Sequence, residues 1–167
     1  MTVLATARLT LRPARASDLA ALHEVFSAPA AMRYWSHPEH ETLAQTQDTL
    51  DALLSTPTEF VLIHQGQVIG KAGAWREWEV GYILHPRFWG QGLMHEAMLA
   101  LVPHLFATTP APALTAECDP RNAGSLSLLA RLGFHETGRA RRTMQWRDEW
   151  CDSVYLRCDR ACDNHGT

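Results

Sequence analysis

The feature that most constrains this chain is a strand that runs through a glycine-rich turn into a long helix. Residues 79–84 predict a buried strand, which Pro86 ends. Residues 89–92, Trp-Gly-Gln-Gly, form the turn. The helix that follows carries a core-facing apolar stripe at four-residue spacing, made of Leu93, Ala97, Leu101 and Leu105.

The start of that helix predicts an anion site. Its first backbone N–H groups have no partner within the helix, and the helix dipole places roughly half a positive charge there. Glycines let a ligand approach the bare backbone. The turn lacks the lysine of a Walker A loop, and position 95 is histidine rather than the third glycine of a dinucleotide fingerprint. A phosphate or pyrophosphate is the natural occupant, and a bare turn without a ligand is the equal alternative.

The remaining chain predicts a mixed α/β fold with a mostly antiparallel sheet flanked by helices. Strands are predicted at 8–12, 60–63, 67–75, 113–118, 135–142 and 152–158, and helices at 17–26, 42–54 and 122–132. With the strand and helix around the turn, the order is β-α-α-β-β-β-α-β-α-β-β. Residues 29–40 are predicted as a loop, and Pro103 predicts a kink or break of the long helix near 99–102.

Length and composition favour one globular domain without a membrane or nucleic-acid partner. The chain has 167 residues, 46% of them hydrophobic and 20% charged, so we expect a single domain over 1–158 and a frayed tail over 159–167. A net charge of −3 gives no basic surface for DNA or RNA. No apolar stretch reaches the ~20 residues that span a bilayer. No secretory signal opens the sequence, which predicts a cytoplasmic location and reduced cysteines.

Two groups of residues contain potential metal ligands, but we predict no metal at either of them. His37 and His40 flank Pro-Glu on a predicted loop that has no cysteine nearby. A second group gathers towards the C-terminal tail and consists of Cys151, Cys158, Cys162 and His165. Because a tail that frays cannot hold a structural zinc site, we predict no metal.

Four segments in the right order resemble one acetyltransferase superfamily. Residues 79–97, Glu-Val-Gly-Tyr-Ile-Leu-His-Pro-Arg-Phe-Trp-Gly-Gln-Gly-Leu-Met-His-Glu-Ala, look like the acetyl-CoA segment of the GNAT N-acetyltransferases. Within them they resemble the branch of ribosomal-protein N-terminal acetyltransferases called RimJ/RimL. The other matching segments are 7–13, Asn122 with Ser125 and 132–134, and Asp152 with Tyr155. The resemblance covers residues 7–157 and implies a GNAT-like fold and an enzyme that uses acetyl-CoA.

The resemblance also implies how acetyl-CoA is held. The backbone of Ile83 and Leu84 would hydrogen-bond the pantetheine arm, and Asn122 would contact the arm from the far side. Backbone amides would cradle the pyrophosphate, those of Trp89, Gly90, Gln91, Gly92, Leu93 and Met94. Met94 replaces a small residue of the branch pattern and Gln91 replaces a lysine, which predicts weaker binding. The partner of the 3′-phosphate stays open among Arg87, Arg121 and Arg131.

The implied reaction is direct attack of an amine on the thioester carbonyl. Ser125 matches the serine that is the proposed proton donor of the RimJ/RimL branch, and Leu129 stands where many family members carry a tyrosine acid. Glu79, on the strand beside the thioester, is the predicted base. The alternatives are that Ser125 only caps a helix and that Glu79 is a solvated carboxylate. Tyr82 is expected to pack rather than react.

The expected partners are acetyl-CoA and an amine acceptor, with the protein a monomer or a homodimer. The acceptor is a protein N-terminus, an aminoacyl group or a small amine. Tryptophans that could line its pocket are Trp35, Trp75 and Trp78, with plain packing as the alternative. Two other classes stay open: a non-catalytic CoA-binding regulatory module, and an enzyme that places FMN or a nucleotide on the same turn.

Overall fold

The computed structural model describes residues 2–161, whose strands form two antiparallel sheets. The first sheet has five strands side by side in chain order: β1 (Leu4–Ala5), β2 (Leu9–Arg12), β3 (Glu59–His64), β4 (Gln67–Ala74) and β5 (Val80–Leu84). The second sheet consists of β6 (Ala113–Cys118), β7 (His135–Trp146) and β8 (Glu149–Asp159), with β8 in the middle.

Five α-helices occur within the described residues. They are α1 (Leu19–Phe26), α2 (Pro29–Met32), α3 (Leu43–Ser55), α4 (Leu93–Thr108) and α5 (Ala123–Arg131). Thr42 caps α3 by accepting a hydrogen bond from the Gln45 amide (3.3 Å), and the Gln45 side chain accepts one from the Thr42 amide (3.1 Å). Over residues 2–161 none of the helices has the length and apolar character that crossing a membrane requires.

Strand β3 shows how the first sheet is buried on both faces. Its predicted apolar run is confirmed, because Phe60, Val61 and Leu62 are at most 2% exposed. Phe60 and Leu62 pack into a cluster with α4 and α5, whereas Val61 packs on the opposite face with α1 and α3. Successive side chains of a strand point to opposite faces, so a strand covered by helices on both sides is apolar throughout.

One backbone bridge joins the two sheets among the described residues. A single parallel bridge joins Glu79 to Thr115, and beyond it β5 and β6 belong to different sheets. The predicted mixed, mostly antiparallel sheet flanked by helices is therefore confirmed, with a separation between β5 and β6 at its centre.

Some element boundaries differ from the predictions. Part of the predicted loop over 29–40 is the short helix α2, which Pro29 can start because a proline at the first helical position loses no hydrogen bond. Strands β7 and β8 extend to Trp146 and back to Glu149, well beyond 142 and 152, because they pair with each other as a long hairpin.

The break that Pro103 predicted near 99–102 does not occur, since α4 is continuous from Leu93 to Thr108, while the alternative of a kink stays a prediction. Leu101, Val102 and Leu105 are buried on either side of Pro103. Their burial offsets the backbone hydrogen bond that the proline removes.

The chain beyond β8 is fastened to the end of α4. The Arg160 amide donates to the Pro112 carbonyl (3.0 Å), and its guanidinium donates to the carbonyls of Phe106, Thr109 and Ala111. The expected frayed tail thus does not include Asp159, which ends β8, or Arg160. Residues 162–167, with Cys162 and His165, lie outside the described residues.

Candidate active site

An open cleft of about 850 Å³ lies between β5 and β6. One end is bordered by the turn before α4 and by α5, and the other end by α2 and the residues just after it. Most of the predicted site residues line this cleft: Ile83, Leu84, Trp89, Gly90, Gly92, Leu93, Met94, Asn122 and Ser125. Glu79 and Gln91 do not line it.

The turn before α4 presents backbone N–H groups to the cleft. Gly90 and Gly92 have φ values of +72° and +75°, in the left-handed region that favours glycine. Gly92 is the N-cap of α4, and the Glu96 amide donates to its carbonyl at 3.0 Å. The three amides before Glu96 consequently have no partner within the helix. These open amides lie at the N-terminus of a helix of 16 residues, the arrangement that the predicted anion site requires.

Arg8 stabilises this turn through side-chain hydrogen bonds, a role that was not predicted from the sequence. Its Nε donates to Glu96 Oε2 at 2.6 Å, and its Nη1 donates to the Gln91 carbonyl at 2.8 Å. Thr6 Oγ1 donates to the other Glu96 oxygen at 2.6 Å, and this bond is the main cause that lowers the pKa of Glu96. Because Arg8 lies 83 residues before Gln91, no local pattern indicates the contact.

Strand β5 turns alternate backbone groups towards the cleft. The His85 amide donates to the Ile69 carbonyl at 2.8 Å, and the Ile83 carbonyl lies against Gly70 of β4. The backbone of Ile83 therefore faces β4, and that of Leu84 faces the cleft, where Trp89 Nε1 donates to the Leu84 carbonyl at 2.8 Å. Ile83 borders the cleft, but Leu84 offers the free N–H beside it.

Tyr82 and Ser125 meet across the cleft. Their hydroxyl oxygens are 2.6 Å apart, and the Ser125 amide donates to Asn122 Oδ1 at 3.2 Å, which caps α5. Burial raises the pKa of Tyr82. Burial also raises the pKa of the neighbouring Cys118 thiol to about 11. At neutral pH this point of the cleft thus holds protonated O–H and S–H groups.

The predicted base lies in a second hollow. Glu79 lines a space of about 340 Å³ together with Thr115, Tyr155 and Arg157. Burial is the main cause that raises the pKa of Glu79, while the Trp75 indole N–H, 3.3 Å away, lowers it. Glu117 lines both this hollow and the main cleft, and its carboxylate accepts a hydrogen bond from Ser153. Glu117 was not predicted as a site residue, because its place beside Glu79 depends on the bridge from Glu79 to Thr115, two residues before it.

Side chains from three distant segments build the end of the cleft near α2. The Arg33 guanidinium lies 5.1 Å from the Tyr34 ring centroid and donates to Glu149 at 3.1 Å. Arg121 also donates to Glu149, and it is paired with Asp119 at 2.6 Å. Trp35 lines the cleft beside them, as its predicted role in an acceptor pocket requires. Trp75 and Trp78 do not line it.

Within the described residues, the potential metal ligand His40 has other partners. His40 is 6% exposed, stacks between Phe26 and His37, and lies 2.9 Å from Thr46 Oγ1. From residue 2 to residue 161, His, Cys, Asp and Glu side chains form no cluster of three that could hold a metal ion. Cys118, Cys151 and Cys158 are free thiols.

Comparison with known proteins adds a family match and similar folds. Residues 8–135 match the model of the acetyltransferase (GNAT) domain family. The uncharacterized N-acetyltransferase p20 of Bacillus licheniformis is 27% identical over 84% of this chain and 86% of that protein. The ribosomal protein uS5-alanine N-acetyltransferase of Escherichia coli is 35% identical over 46% of this chain and 41% of that protein.

Two solved structures illustrate the likeness of the fold. RimL, a ribosomal L7/L12 alpha-N-protein acetyltransferase in complex with coenzyme A, superposes with a TM-score of 0.84 at 20% identity, over 95% of this chain and 98% of that one. A spermidine N-acetyltransferase from Vibrio cholerae in complex with CoA and spermine gives 0.80 at 18% identity, over 92% and 96%. The fold implied by the sequence resemblance is confirmed.

Proposed function

The chain belongs to the GNAT acetyltransferase family and transfers an acetyl group from acetyl-CoA to a primary amine, and we propose that the amine is the N-terminus of a peptide or protein. Membership of this family sets aside the alternative of an FMN or nucleotide enzyme. The finer assignments below, of residues and of the acceptor, rest on the geometry of the cleft.

The phosphates of acetyl-CoA fit the turn before α4. The open amides after Gly92 supply N–H donors and the positive end of the helix dipole. Among the three arginines considered for the 3′-phosphate, Arg131 fits best. It lines the cleft and lies 3.5 Å from His95, whereas Arg121 is occupied by Asp119 and Glu149 and Arg87 does not line the cleft. The pantetheine arm then extends along β5, within reach of the Leu84 N–H.

The charges of the cleft favour a peptide over a polyamine. At the acceptor end, Arg33 and Arg121 line the cleft, each paired with a carboxylate that does not line it, and Glu117 is the one carboxylate among the described residues of the lining. A polyamine brings several cations, for which a single carboxylate provides few partners. A peptide brings one α-amine followed by carbonyl oxygens, to which guanidinium N–H groups donate. This lining, with one carboxylate, is the observation that carries the proposal, and the uS5-alanine relative supports it.

Ser125 is proposed as the proton donor to the departing thiolate. Its hydroxyl lies at the end of the cleft where β5 and β6 separate, 2.6 Å from the Tyr82 hydroxyl. Because burial raises the pKa of Tyr82, that phenol stays protonated and can return a proton to Ser125. The Leu84 N–H is the matching donor for the oxyanion on the thioester carbonyl.

Glu117 and Glu79 are proposed to remove the proton of the amine in sequence. Glu117 lines the cleft and Glu79 lines the second hollow, and Glu117 borders both. Glu79, the base expected from the sequence, then acts as the second carboxylate of a path to solvent. Burial raises the pKa of Glu79, which makes it a better proton acceptor than an ordinary carboxylate.

The test is acetylation of defined amines, read by mass spectrometry. The probes are a lysine-free hexapeptide that begins with alanine, the same peptide with a blocked N-terminus, and spermidine. We expect one acetyl group on the free peptide, none on the blocked one, and a kcat/KM at least tenfold lower for spermidine. Equal or faster reaction with spermidine would overturn the peptide proposal. Tight CoA binding without transfer to any amine would favour the regulatory-module alternative.

A further inference from the structure

A buried ion pair lies behind the end of the cleft near α2. Lys71 Nζ on β4 is 3.0 Å from each carboxylate oxygen of Glu59 on β3. Their side chains are 8% and 6% exposed. Lys71 is the sole lysine of the sequence, and the proposed reaction makes no use of the pair.

One glycine makes room for this pair, and another lies beside it. A Cβ on Gly73 would overlap the Glu59 carboxylate, whereas a Cβ on Gly81 would be in ordinary contact with Lys71 Nζ, at 3.8 Å. Gly81 is part of β5 and lines the cleft. The ammonium therefore lies close to a residue that borders the cleft.

Stability alone does not account for a pair in such a place. Taking two charges out of water costs several kcal/mol per ion, and apolar side chains of similar volume often serve the core equally well. What an apolar residue does not supply is a cation against an aromatic face. Lys71 Nζ lies 5.5 Å from the centroid of the Trp35 ring, and Trp35 lines the cleft.

The indole of Trp35 is held from two directions. Phe26 meets it edge-on, with ring centroids 6.0 Å apart and planes at 70°. The Lys71 ammonium lies over its ring, and Glu59 fixes the ammonium. Because Trp35 follows α2 in a segment without regular structure, the local backbone does not define the ring position as firmly as a strand or helix does.

We propose that Lys71 is a positioning residue, whose ammonium, fixed by Glu59, holds Trp35 as the wall of the acceptor site. The inference rests on the proposed function, because it assigns the end of the cleft near α2 to the amine acceptor. Lys71 acts on the acceptor through Trp35, and the phosphate end of the cleft is independent of it.

The experiment compares two ways of changing the pair with removal of the ring. Glu59→Gln with Lys71→Met removes both charges together, so that no lone carboxylate stays buried. Lys71→Arg keeps a cation, and Trp35→Leu removes the indole. Each variant is assayed with acetyl-CoA and the alanine hexapeptide, and CoA affinity and melting temperature are measured beside the kinetics.

We expect the double variant to raise the KM for the peptide at least tenfold, with kcat and CoA affinity within threefold of the parent. Trp35→Leu should produce the same rise, and combining the changes should add nothing, because both act through one ring. Lys71→Arg should keep KM within threefold. Effects that multiply, an unchanged KM in the double variant, or a tenfold rise in a normally stable Lys71→Arg protein would overturn the proposal.

An additional measurement separates this proposal from the choice of acceptor. In protein labelled with ¹⁵N-tryptophan, the indole N–H signal of Trp35 is identified by its loss in Trp35→Leu. We expect that signal to shift or broaden in the double variant while the Trp89 signal stays in place. If the hexapeptide is not a substrate, this readout still decides: an unmoved Trp35 signal overturns the positioning role, and a moved one supports it.

Discussion

The two ends of the cleft offer a ligand different groups, backbone amides at one end and side chains at the other. At the end near α4 the ligand meets backbone, namely the open amides that follow Gly92. At the end near α2 it meets side chains, among them Arg33, Trp35 and Arg121, which come from separate parts of the chain. A site made of backbone tolerates changes of side chain and is damaged by a change of conformation. A site made of side chains behaves in the opposite way.

This difference also separates what the two ends can recognise. Backbone amides at a helix N-terminus select an anion and little else, which suits a cosubstrate whose phosphates are always the same. Side chains held by contacts over more than 100 residues, such as Arg33 with Glu149, can be exchanged individually. We therefore expect acceptor preference to be encoded at the α2 end.

The largest effect is expected from a single side-chain hydroxyl, that of Ser125 on α5. Ser125→Ala should lower kcat by roughly 100-fold with acetyl-CoA affinity unchanged, because general acid assistance is typically worth that much. The measurement is steady-state kinetics with the alanine hexapeptide. Ser127→Ala, an exposed serine on the same helix, is the matched control. A normal kcat with a lower melting temperature would show that Ser125 only caps the helix and does not donate a proton.

A conformational change should damage the backbone half. Gly92→Val should weaken acetyl-CoA binding roughly 30-fold, since a left-handed φ costs an L residue ~1–2 kcal/mol and the side chain obstructs the amides. Gly66→Val is the control, because Gly66 has a similar φ of +79° in the β3–β4 turn, away from the cleft. Calorimetric titration with CoA should show normal affinity for the control. Equal losses in both variants would contradict a local backbone site.

The carboxylates are expected to give a smaller, pH-dependent effect. Glu117→Gln should lower kcat/KM about tenfold at neutral pH, and the defect should shrink above the pKa of the amine, where no base is needed. Because the pKa of Glu79 is raised, its carboxylate forms at higher pH than usual. Glu79→Gln should therefore shift the acid limb of the kcat/KM profile to lower pH. Glu136→Gln, an exposed control paired with Arg139, should leave the profile unchanged. If neither Glu117→Gln nor Glu79→Gln changes the pH profile, catalysis would rest on positioning alone.

Acid should loosen the α2 end before the α4 end. Burial lowers the pKa of His40 from its ordinary 6.5, so the stability that neutral His40 contributes is complete above pH 6.5 and is lost as pH falls through the lowered value. Glu96 has a pKa below its ordinary 4.5, so its contribution is complete above pH 4.5. Between pH 6.5 and 4.5, the protection against hydrogen exchange, relative to the intrinsic rate at each pH, should fall in residues 29–42 and stay constant around 89–96. The reverse order would contradict this assignment.

The smallest effect is expected for a side chain on the backbone half. Gln91→Ala should weaken CoA binding by less than about fivefold, because its exposed amide contributes under ~1 kcal/mol. Its side chain makes a 3.5 Å contact with the Arg87 carbonyl and does not line the cleft. Titration with CoA gives the affinity, and the Gly92→Val result sets the scale. A loss as large as that of Gly92→Val would mean that side chains hold the phosphates after all.

The same contrast explains what the sequence predicted. The α4 end is local: strand, turn and helix follow one another, so the turn residues and Ser125 could be placed from motifs. The α2 end depends on contacts far apart in the chain, so Glu117 and Arg33 were missed. At the α4 end the contact of Arg8 with Gln91 and Glu96 was missed for the same reason. A break at Pro103 was wrongly expected because the lost backbone hydrogen bond was considered without the buried residues on both sides of the proline. Glu79 stays a predicted base whose position in the second hollow requires Glu117 as intermediary.

The single bridge between Glu79 and Thr115 has a consequence for engineering. Every strand of the first sheet precedes residue 85, and every strand of the second follows residue 112. A cut in the connection 110–112, where both prolines are exposed and Ala111 is buried, would therefore leave each sheet whole on its own fragment, with the cleft present only where the fragments meet. Fused to two interacting proteins, such fragments would form a complementation reporter in which acetyl transfer signals association.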